Sequence, residues 1–355
     1  MREEGDHISR QETRGEVVRA GGSPPGRDLK ESDPEEILHA IARWVCSEPL
    51  RDLVAAFDGP ALDADRLDAG YLERLLAFSA EKWDFRRGRE RHAAFDPRYD
   101  GTERGDLILA AATALNMVND TQPAGYAYDN VLILGSLLRN CLLRSSFTAR
   151  LVREHNLVAG EIAALGSSRP LTDMEAAQLS RLRQRDYQLG EVSTEADALE
   201  AAVRHEFGLG QVIEQDCGGD DEHPGRSWRV RTYGLDGRRP LHVVSAPSGD
   251  GARRRANTAD TYRFWAERVV RLQPMSTVLI VTSSIHVPFQ AADALRVLAL
   301  PWRCRIEVVG VYQGHPYDGM RGSVTASQYL QEINAALRSM RDLYQKVASN
   351  DGREH

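Results

Sequence analysis

The 355-residue chain has almost no lysine: of its 45 basic residues, only Lys30, Lys82 and Lys346 are not arginine. We read the imbalance as base-composition bias, yet it has a chemical consequence. Any anion bound here through a side-chain cation meets a planar guanidinium fork, which suits phosphate and carboxylate. Cysteine is scarce too. Cys46, Cys141, Cys217 and Cys304 form no C-x-x-C pair and have no histidine at ligand spacing, which speaks against a zinc centre or a disulfide framework. No run approaches the ~20 apolar residues of a membrane-spanning helix, and the opening M-R-E-E-G-D-H lacks the apolar core of a signal peptide. The expected location is therefore cytoplasmic, with no membrane contact. A basic excess is also missing: the net charge is −7, so a nucleic-acid surface is not expected. Finally, G-x-S-x-G and G-x-x-x-x-G-K-[ST] are absent, and no G-x-G-x-x-G follows the first strand. Hydrolase triads, P-loops and nicotinamide fingerprints lose support accordingly.

What is present is a globular composition, 42% hydrophobic, with a change of pattern near residue 126. Residues 1–32 are charged and contain G-G-S-P-P-G, the composition of a disordered tail. Residues 33–125 carry helical periodicity. Ser32-Asp33-Pro34-Glu35-Glu36 opens a first helix, with others expected at 49–57, 69–82 and 106–118. This helical portion is expected to pack on a following sheet domain or to cap its ligand edge. The arginine-rich stretch W-D-F-R-R-G-R-E-R-H after the third helix reads either as an anion-facing segment or as a solvated, internally paired loop.

From residue 126 to 348, short apolar runs alternate with helical segments. The run 131–134 stops at Gly135 before a new helix; 160–166, 241–245, 276–283 and 305–311 repeat the arrangement. Continuous apolar runs bounded by turn residues are the mark of buried parallel strands. The fold class expected is α/β: a Rossmann-like three-layer sandwich with a mainly parallel, doubly wound sheet, preceded by the helical region. Residues 211–240, with C-G-G-D-D-E-H and then S-W-R-V-R-T-Y, read as an insertion made of a loop and a hairpin strand. The acidic loop is read as solvated, with no metal centre expected.

In such a sheet, ligands lie beyond the carboxyl ends of the strands. The residues placed there are Gly135, Ser136, Arg139 and Asn140; Gly166, Ser167 and Arg169; Asn257 and Thr258; and Thr282, Ser283 and His286. They are small, hydroxyl-bearing, amide, arginine or histidine, the set that holds a polar anion through backbone amides and short side chains. Glu195 opens a helix nearby, where an acid serves either the helix dipole or the ligand. His286 is a candidate acid/base, a ligand hydrogen-bonder or a turn cap.

Taken in order, these loops resemble the YdcF-like and SanA-like family, a Rossmann-like group. The motifs carrying the likeness are Gly135-Ser136, Leu165-Gly166-Ser167, Thr194-Glu195-Ala196, Ala256-Asn257-Thr258-Ala259-Asp260-Thr261 and Thr282-Ser283-Ser284-Ile285-His286, spread over residues 128–311. The family's Glu-Asn after N-T is Asp260-Thr261 here, and its arginine after the histidine motif is Gln290. The resemblance implies small-molecule binding, with S-adenosylmethionine as one candidate ligand. The expected function is that of a cytosolic enzyme binding an anionic nucleoside- or phosphate-containing molecule, with Glu195 and His286 as acid and base. The transferase, hydrolase and lyase classes all stay open. The alternative is a non-catalytic nucleotide- or S-adenosylmethionine-binding regulatory protein; homo-oligomerisation is open in both.

Overall fold

The computed structural model describes residues 33–61, 67–86, 96–185, 187, 190–219, 224–235, 239–250 and 254–351. The tail 1–32, most of the arginine-rich stretch and the acidic positions 220–223 lie outside these residues.

Four helices lead: α1 (Pro34–Val45), α2 (Glu48–Ala56), α3 (Ala69–Trp83) and α4 (Glu103–Ala114). Local chemistry starts them as the sequence implies. Asp33 accepts the Glu35 N–H at 2.9 Å and Pro34 takes the first turn of α1. The fourth helix begins three residues earlier than expected, because the Thr102 hydroxyl accepts the Gly105 N–H at 3.1 Å. It also ends earlier, with Asn116 in the left-handed region at φ 59°.

The sheet follows as β1 (Ala127–Leu134), α5 (Leu138–Glu154), β2 (Val158–Gly166), α6 (Asp173–Arg183), α7 (Glu195–Phe207), β3 (Glu214–Gly218), β4 (Trp228–Leu235) and β5 (Arg239–Ser245). Then come α8 (Thr258–Phe264), β6 (Thr277–Ser283), α9 (Val287–Ala294), α10 (Leu300–Trp302), β7 (Arg305–Val311) and α11 (Ala326–Asp351). Seven strands are ordered β3-β4-β5-β2-β1-β6-β7. The five from β5 to β7 are parallel, whereas β4 pairs antiparallel with both β3 and β5. The insertion thus contributes two strands to the sheet instead of one. β3, E-Q-D-C-G, escaped the sequence pattern because every one of its residues is exposed and none is forced to alternate.

Alternation along β1 sends Leu132 and Leu134 to one face and Val131 and Ile133 to the other. The second face is covered by α5, α6 and α7. The first is covered by α8, α9 and α11, and its core continues without a break into α1–α4 through Trp44, Leu72, Trp83 and Ile108. The N-terminal helices therefore share the core of the sheet domain, with α3 and α4 laid against α11. The last helix starts at Ala326, because Thr325 and Gln328 exchange side-chain and backbone hydrogen bonds in a capping box. Among the described residues, no helix is long and apolar enough to cross a membrane.

Candidate functional site

β1 pairs β2 on one side and β6 on the other, so successive connections leave it in opposite directions. At the carboxyl end of this switch point lies a cavity of about 970 Å³. All the residues expected at the site line it except Thr282 and Ser283. Ser283 instead serves the floor. Its hydroxyl accepts from Arg144 Nε and Nη2 at 3.2 and 3.0 Å, while Arg144 Nη1 donates to the carbonyls of Leu134 and Gly135 at 2.7 and 2.8 Å. Arg144, buried on α5, thereby ties the ends of β1 and β6 together. The N-terminal region reaches the cavity as well, through Arg86 just beyond α3.

The first turn of α5 is where a Rossmann-type sheet presents backbone amides to an anion. Here the protein supplies its own. Glu175, the capping-box acid of α6, accepts the Leu138 N–H at 2.9 Å with Oε1. Both Glu175 oxygens also receive Arg169, Nη1 and Nη2 each at 2.8 Å. Burial alone would raise the Glu175 pKa, but the Arg169 fork and the Thr172 and Leu138 amides pull it down to about 2. Arg169 has a second acid: its Nε donates to Glu195 Oε2 at 3.1 Å. Arg169, one of the two arginines expected to bind ligand, is thus paired with Glu175 and hydrogen-bonded to Glu195 within the protein.

Glu195 begins α7 after the Thr194 cap and faces the cavity. Burial raises its pKa above the ordinary value and outweighs the attraction of Arg169, Arg255 and Arg144. Its carboxylate also explains Gly135, since a methyl group on that residue would sit 2.5 Å from Glu195 Oε1. At Gly166 a methyl would meet the Ala196 Cα at 2.8 Å. Both glycines therefore admit α7 close to the strand ends.

His286 and Glu195 line one cavity, but the carboxylate bonded to His286 comes from elsewhere. Glu332 of α11 places Oε2 3.1 Å from His286 Nδ1, and both side chains are buried. A carboxylate at Nδ1 favours the tautomer with the lone pair on Nε2, the form of a general base. Sequence reasoning missed Glu332, because a charged position in a long helix has no local signal. Asn257 is engaged as the cap of α8: its Oδ1 accepts the Asp260 N–H at 2.9 Å, and Asp260 returns a bond to the Asn257 N–H at 3.0 Å. Ser136 lines the wall with its carbonyl accepting from Arg169 Nη2 at 3.3 Å, and Asn140 Nδ2 donates to Ser136 Oγ at 3.4 Å.

The walls carry nine arginines, namely Arg86, Arg139, Arg144, Arg169, Arg254, Arg255, Arg296, Arg321 and Arg338. Against them stand four lining carboxylates, Glu195, Asp293, Glu332 and Asp342, and behind the lining Glu175, Asp260 and Asp84 pair with Arg169, Arg254 and Arg338. Such walls favour an anion. S-adenosylmethionine, whose sulfonium and ammonium outweigh its carboxylate, would bring like charge to these walls.

Sequence comparisons place this chain beside mycobacterial proteins. The family described as Rv3785 N-terminal domain matches residues 28–116, which takes in α1–α4. Uncharacterized protein Rv3785 of Mycobacterium tuberculosis is 29% identical over 354 aligned positions, covering 91% of this chain and 94% of its own. Uncharacterized protein Mb3814 of Mycobacterium bovis aligns with the same identity and coverage. No solved structure matches the chain.

Proposed function

We propose that the protein is a cytosolic enzyme that binds a phosphate- or nucleoside-containing anion in the switch-point cavity and transforms it by proton transfer. The observation that carries this reading is the lining itself: nine arginines outnumber the acids around them even when Glu175, Asp260 and Asp84 behind the lining are counted, and a buried His286–Glu332 pair stands among the wall residues. In this reading His286, oriented by Glu332, is the base and Glu195 is the acid. The raised pKa of Glu195 keeps it protonated to a higher pH than an ordinary glutamate, as a proton donor requires. The order of loop motifs that resembles the YdcF-like group supports small-molecule chemistry at these strand ends. The absence of a nucleophile elbow makes a covalent serine intermediate a poor match.

The test is a thermal-shift screen of nucleotides, sugar phosphates and S-adenosylmethionine, followed by mass analysis of each stabilising compound after incubation. An altered compound, with turnover abolished in His286→Ala and Glu195→Gln, is the expected result. A compound that stabilises the protein and is recovered unchanged supports a sensor instead. Turnover undiminished in both variants removes the acid–base assignment.

A further inference from the structure

Most cavity arginines that make ion pairs are neutralised by the protein's own acids. Arg169 has Glu175 and Glu195, Arg254 has Asp260, Arg296 has Asp293, and Arg338 has Asp84. Arg139 and Arg321 differ. Arg139 is buried, yet its guanidinium meets only carbonyls: Nη1 donates to Gln313 at 2.6 Å, Nε to Met320 at 3.4 Å, and Nη2 to His315. Three of the five N–H bonds of a guanidinium are thereby used, and no described carboxylate pairs with it. A buried cation without a counter-charge is costly unless an anion completes it. Arg321 lines the same cavity, is exposed, and makes no ion pair or hydrogen bond with any described residue.

The two are brought together by Gly322. Its Cα lies so close to Arg139 that a methyl group there would collide with Nη1 and with the Gln313 carbonyl. The residue following Arg321 is therefore in contact with the Arg139 fork. Ser136 and Asn140, on the same wall as Arg139, add neutral hydrogen-bonding groups. Two positive charges with neutral donors around them match a dianion better than a single carboxylate.

We propose that Arg139 and Arg321 form the subsite for the phosphate group of the ligand, placing phosphate esters ahead of carboxylates as the substrate class. Arg139 is the preset, buried half, and Arg321 closes on the outer oxygens. The inference rests on the anion-binding reading of the cavity and sharpens it.

Isothermal titration of the full chain with inorganic pyrophosphate, 5′-AMP, adenosine and citrate tests it. The wild type should bind pyrophosphate and 5′-AMP, with adenosine and citrate much weaker. Arg321→Ala should lose about tenfold in affinity for both phosphates. Its thermal midpoint without ligand should stay that of the wild type, since the side chain has no partner among the described residues to lose. Arg181→Ala, an exposed arginine on α6, should bind as the wild type does. Arg139→Ala is unsuitable on its own, because three carbonyls would lose their donor. Phosphate affinity unchanged in Arg321→Ala overturns the subsite, as does preference for citrate; in either case the anion cavity itself stands. Failure of the wild type to bind any of these anions overturns both.

Discussion

Nδ1 of His286 lies 3.1 Å from Oε2 of Glu332, with the two side chains 9% and 3% exposed. One sits in the turn after β6 and the other on the C-terminal helix, so the pair joins the carboxyl edge of the sheet to α11. Replacing His286 with alanine takes one buried partner from Glu332. The expected loss is about 1–3 kcal/mol in urea unfolding, with turnover falling by about 10²–10⁴. A variant as stable as the wild type would mean that the pair contributes nothing net to the core.

Glu175 makes the fold sensitive to acid. Its folded-state pKa is about 2, against 4.5 for the free group. A depressed carboxylate stabilises the fold fully above its unfolded value, and that contribution is lost as the pH falls from about 4.5 towards 2. A shift of this size corresponds to about 3 kcal/mol. Glu175→Gln should therefore be less stable at pH 7, and its urea midpoint should change less than that of the wild type between pH 5 and pH 3. Parallel curves for the two proteins would contradict the Arg169 clamp.

Glu195 should behave in the opposite sense, although both acids share Arg169. Its pKa is raised, so the folded state holds the proton more tightly than the unfolded chain does. The stabilising contribution is then present below the unfolded value and lost as the pH rises through the folded one. At pH 8 Glu195→Gln is expected to be at least as stable as the wild type, with the two converging near pH 4. A loss above about 2 kcal/mol at pH 8 would show that the single bond to Arg169 outweighs burial.

Gly166→Ala should be a stability variant and not a ligand-specific one. The added methyl meets the backbone of Ala196, which belongs to a helix packed on β2 and cannot yield as a flexible side chain does. The expected cost is about 1–3 kcal/mol by chemical denaturation. If ligand affinity fell while stability held, Gly166 would be acting towards the ligand.

The strand ends were legible because a buried parallel strand is apolar at most of its positions. The segment 305–311 reads as a strand and is one to the residue, and 276–283 begins only one residue early. Helix starts were legible where a cap is a contact across a few residues, as at Asp33 before α1 and at Glu195 opening α7, whereas Asn257, expected at the ligand, turned out to cap α8. β3 was not, since an exposed edge strand imposes no alternation. Nor was the second role of Glu175. Its capping box and its bond to Arg169 six residues before it are local, but its bond to Leu138 depends on α5 and α6 lying side by side.

By itself, the sequence determined the α/β class, the parallel strands and the set of small and polar residues at their ends, since each follows from neighbours a few positions apart. Tertiary structure decided which of those residues are already engaged. Arg169 turned inward to Glu175 and Glu195, His286 found Glu332 46 residues away, and Arg139 met only carbonyls from the loop before α11. Charge pairing depends on distance in space, and the distance between two side chains from different loops is fixed only once the sheet has brought their strands together.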